Sequence, residues 1–161
     1  MPGDKPGAPT AGVIAPPPLI YLAGVVLGLA ADYLFALPTL PRAAGAGPLW
    51  LGLAFGGSGL FLILWAARCF SRAGTAIPPY KPATALVTEG PYRRSRNPIY
   101  LGMALIYLGV VCATSSLSVL ALFPLVLLVM EFGVIRREER YLAELFGEAY
   151  EAYRKEVRRW I

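Results

Sequence analysis

IYLGMALIYLGVVCATSSLSVLALFPLVLLVM, residues Ile99–Met130, runs for 32 residues without an Asp, Glu, Lys or Arg. As one α-helix it would be about 48 Å long, well beyond the ~30 Å hydrocarbon core of a bilayer. Its middle holds three consecutive hydroxyl residues, Thr114-Ser115-Ser116. A tight hairpin turning there gives two antiparallel helices, each slightly short and completed by running into the headgroup zone. Polar strips bound the run on both sides. Gly90-Pro91-Tyr92-Arg93-Arg94-Ser95-Arg96-Asn97-Pro98 precedes it and Arg136-Arg137-Glu138-Glu139-Arg140 follows it.

Working outward, Leu19–Leu37 is broken only by Asp32, and Leu49–Ala67 carries no charge; each is 19 residues long. Both are close to the ~20 residues a spanning helix needs. The chain is 57% hydrophobic and 16% charged over 161 residues, with a mean hydropathy of +0.56. An ordinary soluble domain carries about 25% charged residues. The expected fold is therefore all-α, an integral membrane helical bundle of about four transmembrane helices plus a C-terminal amphipathic helix.

Charge sets the expected orientation. Of the 15 Lys and Arg residues, only Arg42 falls in the connections at the hairpin-turn end; the rest fall at the other end. Excess positive charge marks the cytoplasmic side. This predicts a multi-pass protein with both termini and the polar strips facing the cytoplasm. The net charge of +5 then reads as attraction to anionic membrane lipids rather than to nucleic acid.

Met1–Pro18 is rich in proline and poor in apolar residues and reads as a disordered tail. It lacks a signal-peptide pattern, so the first span is expected to be retained. Residues 19–161 form the membrane domain. Gly24/Gly28 and Gly52/Gly56 carry the spacing that lets helices approach closely, either within the chain or across a homodimer. Asp32 is expensive in hydrocarbon and needs a partner or a polar cavity. Pro124 is placed to kink the fourth span. The chain has no His and only Cys69 and Cys112. Histidine-based catalysis, a zinc site and a disulfide framework are not expected. From Tyr141 onward, apolar residues recur at helical spacing with charges opposite, interrupted at Gly147. This helix lies on the membrane surface or folds back as a lid.

A hairpin centred near Ser115 sets residues equidistant from the turn side by side. Asn97 then lies near Val134, and Tyr92 near Glu139. Asn97-Pro98 is a good helix start, with Asn capping and Pro at the first position. An electropositive helix start opposite Glu138 and Glu139 suits a zwitterion, carboxylate at one end and ammonium at the other. Tyr92 and Tyr100 offer aromatic faces.

The segments Leu86-Val87-Thr88-Glu89-Gly90-Pro91-Tyr92, Arg96-Asn97-Pro98-Ile99-Tyr100-Leu101-Gly102, Glu138-Glu139 and Phe146-Gly147-Glu148-Ala149-Tyr150 with Tyr153 resemble the isoprenylcysteine carboxyl methyltransferase family, a group related to the phospholipid N-methyltransferases. The resemblance covers roughly residues 70–161, with core motifs in 84–102 and 136–161. It implies a membrane methyltransferase using S-adenosylmethionine. It implies cofactor contacts from Thr84, Ala85, Leu86, Val87, Tyr92, Asn97, Pro98, Ile99, Tyr100 and Glu138. Family members often carry His where this chain has Thr84 and Asn97. Their substrate-contacting Arg falls where this chain has Val134, so Arg136 or Arg137 is expected to bind substrate instead. The chain has no Gly-rich loop of the dinucleotide-binding kind.

The expected reaction is methyl transfer to a lipid-like acceptor, an isoprenylcysteine-type carboxylate first. Arg159 is the candidate to orient that carboxylate. An amine acceptor such as phosphatidylethanolamine would need a base, and Glu139 is the nearest candidate. A sterol-type NADPH reductase and a non-enzymatic scaffold are the remaining readings.

Overall fold

The computed structural model describes residues 10–37, 39–40 and 46–161. Residues 1–9 of the proline-rich segment, with Lys5, and Arg42 in the loop 39–47 lie outside them. Four helical rods form the bundle. They are α1 (Pro17–Phe35), α2 (Gly47–Ala73), α3 (Pro98–Thr114) and a continuous rod of α4 (Leu117–Met130), a π-turn (Glu131–Ile135) and α5 (Arg136–Phe146). The short helix α6 (Glu148–Glu156) follows. No β-strand occurs among the described residues. α1, α2 and the Leu117–Phe146 rod are long and apolar enough to cross a membrane, and α3 is a shorter apolar helix. The chain is thus an all-α membrane bundle.

The hairpin turns as the hydroxyl triplet predicts. Ser115 ends α3 in the left-handed region at φ +55°, and the Ser116 hydroxyl caps α4 by accepting from the Val119 N–H at 3.0 Å. The same hydroxyl donates to the Asp32 carboxylate, which names the partner this intramembrane acid requires. Leu40 N–H bonds to the Ser115 carbonyl, so the end of α1 and the hairpin turn share one end of the bundle.

α2 and α3 touch backbone to backbone. A Cβ on Gly59 would stand 2.4 Å from the Gly102 carbonyl oxygen, and one on Gly52 2.8 Å from that of Gly109. Gly24 faces Val126 and Tyr107, and Gly28 faces Val119. Gly24, Gly28 and Gly52 therefore serve packing within the chain. Tyr21 on α1 donates to the Tyr100 carbonyl, and Tyr107 donates across the hairpin to Val119.

Three boundaries differ from the sequence expectation. α1 starts at Pro17, because proline is accommodated in a helix's first turn. α2 runs past Arg68 and Arg72 to Gly74, which stops it at φ +65°; charges at a membrane surface do not end a helix. Pro124 lies inside α4, but the break from α-geometry comes later, at the π-turn. The described part of the N-terminal segment is also packed rather than loose. Ala11 is buried, Ile14 N–H bonds to the Gly133 carbonyl, and Arg137 reaches the Gly12 carbonyl. Gly133 exposes bare backbone that Ile14 fills.

Candidate functional site

At the end of the bundle away from the hairpin turn, the chain from Thr75 to Asn97 folds over the rods. Gly90 passes against Cys69 and Trp65, and a 3₁₀ turn (Gly90–Arg93) buries Tyr92. The loop before it is pinned at two points. Ala83 N–H donates to the Tyr141 hydroxyl at 3.0 Å, and Thr84 N–H to the Thr75 hydroxyl at 2.9 Å. Beyond Glu156 the last residues cross the start of α3. The Arg96 N–H bonds to the Arg158 carbonyl, and the Ser95 hydroxyl and Asn97 amide both donate to the Arg159 carbonyl.

The two polar strips meet through ions. Arg96 grips Glu139 with Nε and Nη2 at 3.1 and 2.8 Å, and its Nη1 donates to the carbonyls of Arg154 and Val157. Arg159 takes the same carboxylate bidentately at 3.0 and 2.6 Å, and also binds Glu131. Glu139 thus lies between two guanidiniums and is buried. Glu138, one residue earlier, points elsewhere and, among the described residues, accepts only from the Tyr100 hydroxyl, at 2.8 Å.

Between these elements lies a cavity of about 260 Å³. Of the residues singled out in the sequence, Ala85, Leu86, Val87, Tyr92, Asn97, Ile99, Tyr100, Glu138 and Glu139 are on its wall. Thr84 is off it, bracing the loop against Gly74 and Thr75, and Pro98 is fully buried. Arg136 is off it too, paired with Glu131 and stacked 4.3 Å from the Phe132 ring. Arg137 turns to Gly12. Arg159 lines a second concavity, which shares Glu139 with the first, together with Arg136, Arg140 and Arg154.

The expected cap at Asn97 is absent. Among the described residues no side chain caps α3; the Asn97 side-chain NH2 donates instead to the Arg159 carbonyl. The helix start keeps its unpaired N–H groups and its partial positive charge.

Sequence reasoning missed several wall residues. Tyr141, Tyr150 and Tyr153 line the cavity with Phe70, Met103 and Lys81. The signal for Tyr150 and Tyr153 was their place on the apolar face of the last helix; that face packs inward. Tyr153 donates to the Tyr92 carbonyl at 2.8 Å. Burial, and then the nearby Glu138 charge, push the Tyr92 phenol well above its ordinary range. Burial does the same for Tyr150 and Tyr153. These phenols stay neutral donors at any working pH.

Fold and site together define a helical membrane protein with a tyrosine-lined pocket at the polar end of its bundle. The chain belongs to the phospholipid methyltransferase family, whose model matches residues 48–149. It is 43% identical over 70 residues to the cobalt-zinc-cadmium resistance protein CzcN of Cupriavidus metallidurans, covering 44% of this chain and 32% of that one. It is 40% identical over 72 residues to the protein-S-isoprenylcysteine O-methyltransferase of Schizosaccharomyces pombe, covering 45% and 30%. The matches span about a third of the length of each of these relatives. No solved structure matches the chain.

Proposed function

We propose that the chain is an S-adenosylmethionine-dependent methyltransferase acting on a lipid-like acceptor at the cytoplasmic membrane surface, with an isoprenylcysteine-type carboxylate as the first candidate. One observation carries the reading: an uncapped helix start and the singly bonded Glu138 carboxylate border the same cavity. The cofactor's methionine part is a zwitterion and matches that pair. Its carboxylate suits the N–H groups opening α3, and its ammonium suits Glu138. Tyr92, Tyr150 and Tyr153 offer faces for the adenine ring. Ala85, Leu86 and Val87 supply backbone and apolar contacts along the same wall.

When bound, S-adenosylmethionine supplies an electrophilic methyl group. The chain's own work is binding, orientation and exclusion of water. Tyr100 holds Glu138 in place, and α6 roofs the cavity with Tyr150 and Tyr153. An acceptor carboxylate needs no general base. Glu139, the sequence candidate for that role, is committed to two guanidiniums that keep it ionised. It joins α5, the start of α3 and the C-terminal crossing, and acts through position. Arg159 is drawn into the same ion cluster, away from the cavity. The family match admits a second acceptor, a phospholipid amine, which would have to reach the site already deprotonated by water, since Glu138 is engaged by the cofactor and Glu139 by two guanidiniums.

The test is purified protein in nanodiscs with methyl-labelled cofactor and two acceptors, N-acetyl-S-farnesylcysteine and phosphatidylethanolamine. Label is expected in a base-labile ester of the first. Glu138→Gln is expected to weaken S-adenosylhomocysteine binding by about tenfold or more, the scale of a charge-assisted hydrogen bond. No cofactor binding and no labelled lipid would end the proposal.

A further inference from the structure

Four charged residues line the cavity: Lys81, Arg96, Glu138 and Glu139. Three are accounted for. Arg96 and Glu139 neutralise each other, and the remaining Arg96 donors go to backbone carbonyls. Glu138 is the anion assigned above to the cofactor's ammonium. Lys81 makes no ion pair with any carboxylate among the described residues. It is the cavity's one uncommitted cation there.

Its backbone is held while its head is free. The Lys81 N–H closes a turn onto the Pro78 carbonyl at 3.0 Å, and Pro79 accepts from the Ala11 N–H. Pro82 follows directly, and Ala83 is tied to Tyr141. A loop stiffened by Pro78, Pro79 and Pro82 fixes the Cα, and the exposed side chain swings its ammonium on a four-carbon stem. The wall also carries apolar surface from Pro17 and Pro18 of α1 and from Met103 of α3. A ligand that satisfies both ends is an amphiphile with a negative head.

Resting on the methyltransferase reading, we infer that Lys81 grips the oxyanion of the acceptor's head group, a carboxylate or a phosphate, while the tail lies against α1 and α3. Lys81 is then a substrate-specificity residue. It fills the role expected of Arg136 or Arg137, both of which are turned away from the cavity.

The test measures binding, so it reads out even without turnover. Full-length protein in neutral-lipid nanodiscs is titrated with S-farnesyl-3-mercaptopropionate, its methyl ester, farnesyl phosphate and S-adenosylhomocysteine. The wild type is expected to bind the acid or the phosphate about tenfold more tightly than the ester. Lys81→Gln should abolish that preference, Lys81→Arg should keep it, and S-adenosylhomocysteine affinity should stay within twofold. A loss confined to one anion identifies the head group as carboxylate or phosphate, and either result supports the assignment. Equal binding of acids and ester by the wild type overturns it. So does a preference that survives Lys81→Gln, or a loss of cofactor affinity alone in that variant. Failure of S-adenosylhomocysteine to bind the wild type would count against the methyltransferase reading, and the acid–ester comparison would still decide the role of Lys81.

Discussion

Glu138 and Glu139 are neighbours in sequence and opposites in environment. One faces the cavity with a single phenol donor; the other is clamped by Arg96 and Arg159. Sequence could place the acidic pair at the mouth, because its distance from the Ser115–Ser116 turn matches that of Tyr92 and Arg93 in the facing strip. It could not tell the two apart, because that depends on which way each side chain leaves the helix. Counting from the turn pairs Arg96 with Ile135, yet Arg96 binds Glu139, one helical turn farther. Two local departures from α-geometry push in that direction. Residues before Pro98 are not helical, with Asn97 at φ −128°, and the π-turn at Glu131–Ile135 widens the opposite rod. The consequence is testable in stability. Arg96 and Glu139 are each about 9% exposed; removing Glu139 strands the buried Arg96 charge, whereas removing Arg96 leaves Glu139 held by Arg159. Glu139→Ala should cost about 3–5 kcal/mol, read as a fall in the detergent melting midpoint, and Arg96→Ala should cost less. The double variant should lose clearly less than the sum, because the partners are coupled. Additive losses would mean that the pair is not a working contact.

At the scale of elements, the apolar runs and the hydroxyl triplet were enough to find four rods and the turn between the last two. Helix ends were less legible, since a membrane helix continues into water until a Gly or Pro stops it. Packing partners were legible only in part. The four-residue glycine spacing drew attention to Gly52 and Gly56. The contact of α2 with α3 uses both, with the Gly52 and Gly56 backbone against Gly109, and adds Gly59 against Gly102, a seven-residue step from Gly52 to Gly59 and from Gly102 to Gly109. Gly57, by contrast, has nothing within 4 Å of where a Cβ would stand. Gly59→Ala must therefore push α3 away and should cost about 1–3 kcal/mol, as overpacking does. Gly57→Ala should be neutral or slightly stabilising, because alanine is the better helix former. Thermal unfolding of both variants in one detergent separates the cases. Equal midpoints would mean that the two helices do not meet at Gly59.

At the scale of the whole molecule, the charge asymmetry and the fold can be joined into one claim about orientation. Ile14 and Gly12 contact Gly133 and Arg137, and Arg158 and Arg159 contact the Ser95–Asn97 strip. The described start and end of the chain therefore lie at one end of the bundle, with the cavity. Thr39, Leu40 and the Ser115–Ser116 turn lie at the other. Every Lys and Arg among the described residues belongs to the cavity end. Flipping the protein would carry all of them across the membrane, against the bias that sets topology. A fluorescent-protein fusion at residue 161 should glow in a bacterial host, and a periplasm-dependent phosphatase fused there should be silent. A cysteine placed at Thr39, exposed at the hairpin-turn end, should react with an impermeant thiol reagent from outside the cell, on a Cys69→Ser, Cys112→Ala background. Labelling only after the cells are opened would place the cavity on the outer face, where no cytosolic cofactor reaches it, and the methyltransferase proposal would fall with the orientation.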